Sequence, residues 1–155
     1  MPLYELDDRS IMGHVDIDHM HAKVATLSRH LTERIASRAD FGEVCDTFLQ
    51  LKAALQEHFG MEERYILGLP QNGEVRAHLR KHMENHGQFC DLLAYGEQQF
   101  EKHRDDGKVP NVASLIPQEY FEELKSIDRE MRLLSAKYGF EKSKPKIERA
   151  EQPRD

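Results

Sequence analysis

Apolar residues recur every three or four positions along four separate stretches of the chain, a spacing that predicts four helices. The first starts near Asp16 or Asp18 and runs to about Arg38, with Ile17, Val24, Leu27, Leu31 and Ile35 on one face. The second starts near Phe41, and Val44, Phe48, Leu51 and Leu55 form its seam. Gly68-Leu69-Pro70-Gln71-Asn72-Gly73 interrupts the pattern. The third helix runs from about Glu74 to His103, with Val75, Leu79, Phe89 and Leu93 as its seam. A further break from Asp105 to Asn111 precedes the fourth helix. Pro117, preceded by Ser114, suits a first-turn position there. Tyr120, Leu124, Ile127, Met131, Leu134 and Tyr138 make its core face, and Gly139 is its stop. No stretch alternates in the manner of a strand, so the expected class is all-α. Residues 141–155 are charged, contain two prolines and read as a flexible tail.

Two of the seams do not stay apolar. The second continues at unbroken spacing from Leu55 into His58 and Glu62, and the third passes from Leu79 into His82 and His86 before Phe89 and Leu93 resume it. Each pair stands at i and i+4, so both side chains project from one helical face, one turn apart. Burying four such groups unpaired would cost several kcal/mol in total. A shared metal removes most of that cost, because imidazole nitrogen and carboxylate oxygen become ligands. A buried hydrogen-bond network, or helices turned to put these residues in water, is the competing reading. With two pairs on two core seams, the metal reading is favoured, and carboxylates in a helix bundle suit a di-metal centre.

Composition narrows the remaining classes. At 155 residues the chain is long enough for one domain with a substantial core. The net charge is −6, with Lys and Arg dispersed among Asp and Glu, so no basic footprint for nucleic acid is present. Apolar runs fall far short of the roughly 20 residues that cross a bilayer. Met-Pro-Leu-Tyr-Glu-Leu-Asp-Asp at the N-terminus lacks the basic and apolar regions of a signal peptide, so a cytoplasmic protein is expected. Cys45 and Cys90 make a poor disulfide framework and read as reduced thiols. Nine histidines are many for this length.

Ile17-Asp18-His19-Met20-His21-Ala22-Lys23-Val24 resembles the first-helix motif Ile-Asp-x-x-His-x-x-Leu of the bacterial hemerythrins, with Gly13 in register. His58 to Glu63 is similar to the family's His-Phe-x-x-Glu-Glu segment, and His82 to Phe89 to its His-x-x-x-His-x-x-Phe segment. The resemblance spans roughly Ser10 to Tyr138. It implies an up-down-up-down four-helix bundle over residues 1–140, with an N-terminal arm and the tail at 141–155. It further implies two irons bridged by two carboxylates and an oxo or hydroxo group, with dioxygen bound reversibly at one open iron position.

Carried over residue by residue, the resemblance gives His82 and His86 to one iron and His21 and His58 to the other, whose sixth position it leaves open for dioxygen, with Glu62 bridging. In the fourth helix it expects a histidine followed five residues later by an aspartate. Asp128 fits that aspartate as the second bridge, and Glu123 stands where the histidine is expected. No histidine lies beyond His103. A carboxylate in place of imidazole adds negative charge and favours the ferric state. Glu123 could instead be a surface residue, with His78 as the replacement ligand or as a solvated or supporting histidine. Pairing His78 with His82 by a one-turn slip is opposed by the position of Phe89 after His86.

The expected function is therefore a non-heme di-iron protein that binds dioxygen for storage, delivery or sensing. The alternatives are an enzyme that reduces or activates dioxygen, peroxide or nitric oxide, for which Glu123 is the motive, and the sensory module of a signalling protein. Iron suits the donor set best, with manganese or zinc as other choices. His14 and His19 are expected to be exposed or supporting, and His30 and His103 to lie on the surface. Glu63 is expected to accept a hydrogen bond or face solvent. Cys90 reads as a small core residue, and Tyr65, Tyr120 and Tyr138 as core or rim.

Overall fold

The computed structural model describes residues 14–139, and every element in that range is helical. The expected N-terminal arm and charged tail lie outside the described residues. Helix α1 spans Val15–Ala36, α2 Phe41–Leu67, α3 Gly73–Lys102, α4 Val112–Lys125 and α5 Ile127–Leu134, followed by a π-helical turn, Ser135–Gly139. Each of the first three starts on a side-chain cap. His14 Nδ1 accepts from the Ile17 N–H, Asp40 from Gly42, and Asn72 from Val75. Acidic residues in the first turns, among them Asp16, Asp18, Glu43 and Glu74, complement the helix dipoles.

The fourth helical stretch differs from its expectation in two ways. It begins at Val112, so Pro117 is its sixth residue rather than a first-turn one. There, in the second turn, the ring removes the backbone bond that position 117 would donate to Ala113. It is also two helices and not one. At Ser126 the backbone turns to φ −113°, ψ −80°, and the Ser126 hydroxyl donates to the Glu122 carbonyl at 3.0 Å. A serine bonded back to the preceding turn competes with the helical ladder, and the chain restarts as α5 in a new rotational phase. The third seam also departs in detail. His78 is buried where Leu79 was expected, and Leu79 is only half-buried.

The helices pack side by side: α2 against α1 and α3, α4 against α1 and α3, and α5 against α3. Two apolar clusters fill the interior. The larger includes Val24, Leu31, Val44, Phe48, Leu51, Leu55, Leu93 and Phe100, and the smaller comprises Ile17, Ile66, Leu69, Val75 and Met131. Gly96 is where α3 meets Phe48: a Cβ there would stand 2.5 Å from the Phe48 ring. Among the described residues no helix is long and apolar enough to cross a membrane.

Candidate metal centre

Between the two apolar clusters, every helix turns a polar side chain inward. His21 comes from α1, His58 and Glu62 from α2, His82 and His86 from α3, Glu123 from α4 and Asp128 from α5. All seven are at most 4% exposed. The i, i+4 spacing brings His58 over Glu62 and His82 over His86. Glu123 and Asp128 are five residues apart, and on one continuous helix they would diverge by roughly 140°. The break at Ser126 turns both into the same interior.

These side chains form two groups in which one ligand atom per residue lies within 4.8 Å of every other. The first is His21, His58, Glu62 and Asp128, and the second is Glu62, His82 and His86. Glu62 belongs to both. Its Oε1 stands 3.1 Å from His58 Nε2 and 3.4 Å from His86 Nε2, and its Oε2 stands 4.0 Å from His21 Nε2. Asp128 divides its oxygens likewise, with Oδ2 3.6 Å from His21 Nε2 and Oδ1 3.7 Å from His82 Nε2. Glu123 Oε1 lies 3.3 Å from His86 Nε2, so Glu123 is not a surface residue.

Close as they are, few of these contacts have the geometry of a hydrogen bond. Both oxygens of Glu62, Glu123 and Asp128, both nitrogens of His58 and Nε2 of His82 are buried without one. Each such orphan costs about 1–3 kcal/mol. Nitrogen and oxygen atoms that approach without hydrogen-bond geometry are arranged as ligands around a cation are, and this donor set fits one. The cluster can hold a metal ion.

The electrostatics reflect the same crowding of buried groups. His82 is pushed down to about 3, chiefly by burial. One turn away, burial also works against the His86 cation, but Glu123 and Glu62 outweigh it and raise the pKa to about 10. Burial likewise opposes the charge on Glu62, yet His58 and its other histidine neighbours hold it well below the carboxylate range. Asp128 goes well up, first through burial and then through the negative charge of Glu62 and Glu123. Glu123 is raised by burial and by Glu62, with His86 opposing. Without a cation, then, Glu62 takes the negative charge while Asp128 and Glu123 tend to keep protons.

Neighbouring residues fix the ligand orientations. Glu63 accepts from His86 Nδ1 at 2.8 Å, leaving Nε2 toward the cluster. The Phe59 ring stacks on His86, with centroids 4.1 Å apart. His78 belongs to neither group: its Nδ1 lies 3.3 Å from Glu130 and its ring 4.6 Å from that of His82. His78 and Glu130 line a cavity of about 420 Å³ between α3 and α5. Glu130 had no signal in the sequence, because a pairing between α3 and α5 leaves no spacing to read. Elsewhere, His14 caps α1, His19 and His30 are exposed, and His103 faces Asp106 at 3.1 Å. Cys90 is half-buried against the larger cluster.

Comparisons with protein-family models, with curated proteins and with solved structures find no match.

Proposed function

We propose that this chain is a non-heme di-iron protein of the hemerythrin kind that binds dioxygen. The observation that carries the reading is the double sharing of carboxylates: Glu62 belongs to both ligand groups, and Asp128 faces one histidine of each with its two oxygens. A single-metal site has no use for two such bridges. Charge balance agrees, since three carboxylates and a bridging hydroxide neutralise two divalent cations, and four imidazoles add ligands without charge. His21 and His58 would hold one iron and His82, His86 and Glu123 the other, with Glu62 and Asp128 between them. The bound irons supply the redox chemistry. The chain's own contribution is a water-poor chamber and fixed imidazole orientations, the latter seen in the Glu63–His86 pair.

The short connections at 37–40 and 68–72 favour antiparallel neighbours and so the up-down-up-down arrangement of that family. Free Cys45 and Cys90 suit a reducing cytoplasm.

A second reading, an enzyme that reduces or activates dioxygen, peroxide or nitric oxide, is favoured by one observation: the buried carboxylate of Glu123 against His86, where an imidazole was expected. The deciding experiment mixes anaerobic di-ferrous protein with dioxygen in stopped flow and then lowers the oxygen pressure. Reversal over many cycles supports the binding role. Rapid oxidation with turnover of peroxide or nitric oxide defeats it. Less than about half an equivalent of any metal after anaerobic reconstitution would defeat both.

A further inference from the structure

One buried polar group near the centre is left without a purpose by this account. Tyr120 is 0% exposed and its hydroxyl has no hydrogen-bond partner among the described residues. Placing a phenol there without a partner costs about 1–3 kcal/mol, and a phenylalanine would fill the space without that cost.

Three features locate the group. The ring meets His58 edge-on, with centroids 5.9 Å apart and planes at 78°. Tyr120 stands one turn before Glu123 on α4, so the two share a face. Its hydroxyl, buried without a partner among the described residues, is available to donate.

What it can donate to follows from the asymmetry of the cluster. Among the described residues, the group of His21 and His58 takes its carboxylates from the shared Glu62 and Asp128. His82 and His86 have those same two carboxylates beside them, and Glu123 as well. The His21–His58 side thus has fewer protein donors, and it is the side that Tyr120 touches. We propose that Tyr120 positions a small exogenous anion on the His21–His58 side of the centre by donating its hydroxyl hydrogen bond to it. The ligand class is an anion of two or three atoms with a lone pair left over for the phenol. The inference rests on the two-metal reading and adds to it a residue that selects hydrogen-bond-accepting ligands.

The test titrates iron-loaded, oxidised wild-type protein and Tyr120→Phe with azide, reading the charge-transfer absorption. The dissociation constant is expected to rise about tenfold or more in the variant, the effect of losing one hydrogen bond to a charged acceptor. Iron content should not change, and the iron-free variant should resist urea at least as well as wild type, because a buried unpaired hydroxyl has been removed. Azide affinities within about twofold of each other would overturn the proposal. Loss of iron from the variant would overturn it too, since the hydroxyl would then be serving the ligands and not the anion. Failure of wild type itself to take up metal is a distinct result: it removes the two-metal reading, and this inference with it.

Discussion

Glu123 and Asp128 stand five residues apart, and both face the histidines of α3: Glu123 Oε1 is 3.3 Å from His86 Nε2, and Asp128 Oδ1 is 3.7 Å from His82 Nε2. A continuous helix cannot do this at that spacing. The phase change at Ser126 is therefore part of how the cluster is assembled.

The two carboxylates should fail differently. Glu123 stands outside both ligand groups with its contact to His86, whereas Asp128 and Glu62 each touch histidines of both. Glu123→Ala should lower metal content from about two ions per chain toward one, and Glu62→Ala or Asp128→Ala should remove both and destabilise the fold by about 3–5 kcal/mol, as uncompensated buried partners do. Metal analysis with denaturant unfolding measures this. Two ions retained in Glu123→Ala would show that Glu123 is no ligand.

Metal-free protein should lose stability as the solution becomes alkaline. His86 has its folded-state pKa raised from 6.5 to about 10 by Glu123 and Glu62 acting against burial, so its contribution is complete below 6.5 and vanishes as pH rises through about 10. Asp128, raised well above its usual value, acts in the same sense. His82 acts in the opposite sense, but its contribution is complete above 6.5 and is lost only as pH falls toward about 3. Between about pH 6.5 and pH 9.5 a loss of about 2–4 kcal/mol is expected in urea titrations of chelated protein. A flat profile across that window would contradict the paired His86.

Metal loading should reverse the trend and release protons. The carboxyls of Asp128 and Glu123 are biased toward their protonated forms and must give up protons to bind a cation. Apparent metal affinity should therefore rise with pH, and calorimetry in buffers of different ionisation enthalpy should report net proton release. Chelation should lower the melting temperature. A binding enthalpy independent of the buffer would rule out the proton linkage.

Gly96→Ala tests the packing away from the metal. The new methyl would meet the Phe48 ring at 2.5 Å in a core with no slack. A loss of about 1–3 kcal/mol is expected, partly recovered by adding Phe48→Leu. Full stability in the single variant would mean that α2 and α3 are not pressed together there.

The seams carried much of this in plain view. His58, Glu62, His82 and His86 continue unbroken helical spacing, so their burial could be read from periodicity alone. His21, Glu123 and Asp128 needed the resemblance to a motif, and for the last two the reason is physical. Periodicity assumes a constant phase, and the phase changes at Ser126. Pro117 misled because it sits in the second turn, past the positions where a proline costs no backbone bond, so a first-turn reading puts the helix start too late. His78 in place of Leu79 is a rotation of about one residue, below what spacing can distinguish when both candidates border the seam. Tyr120 was legible only as core, because a sequence does not reveal whether a buried hydroxyl has found a partner.

Under the proposed ligand-binding role, the two apolar clusters would also govern traffic. Phe48, Leu51, Leu93 and Phe100 stopper one side of the polar ring, and Ile17, Ile66, Val75 and Met131 the other. A small molecule bound for the interior must then slip sideways between helices, and the gap between α3 and α5, where His78 backs onto His82, is one such seam in the wall. Exchange at the centre would then be set by how often side chains around it swing aside. Under the proposed role, a substitution at the exposed Leu133, which lines that gap and is none of the seven clustered residues, would alter how fast the centre is reached without altering what it binds.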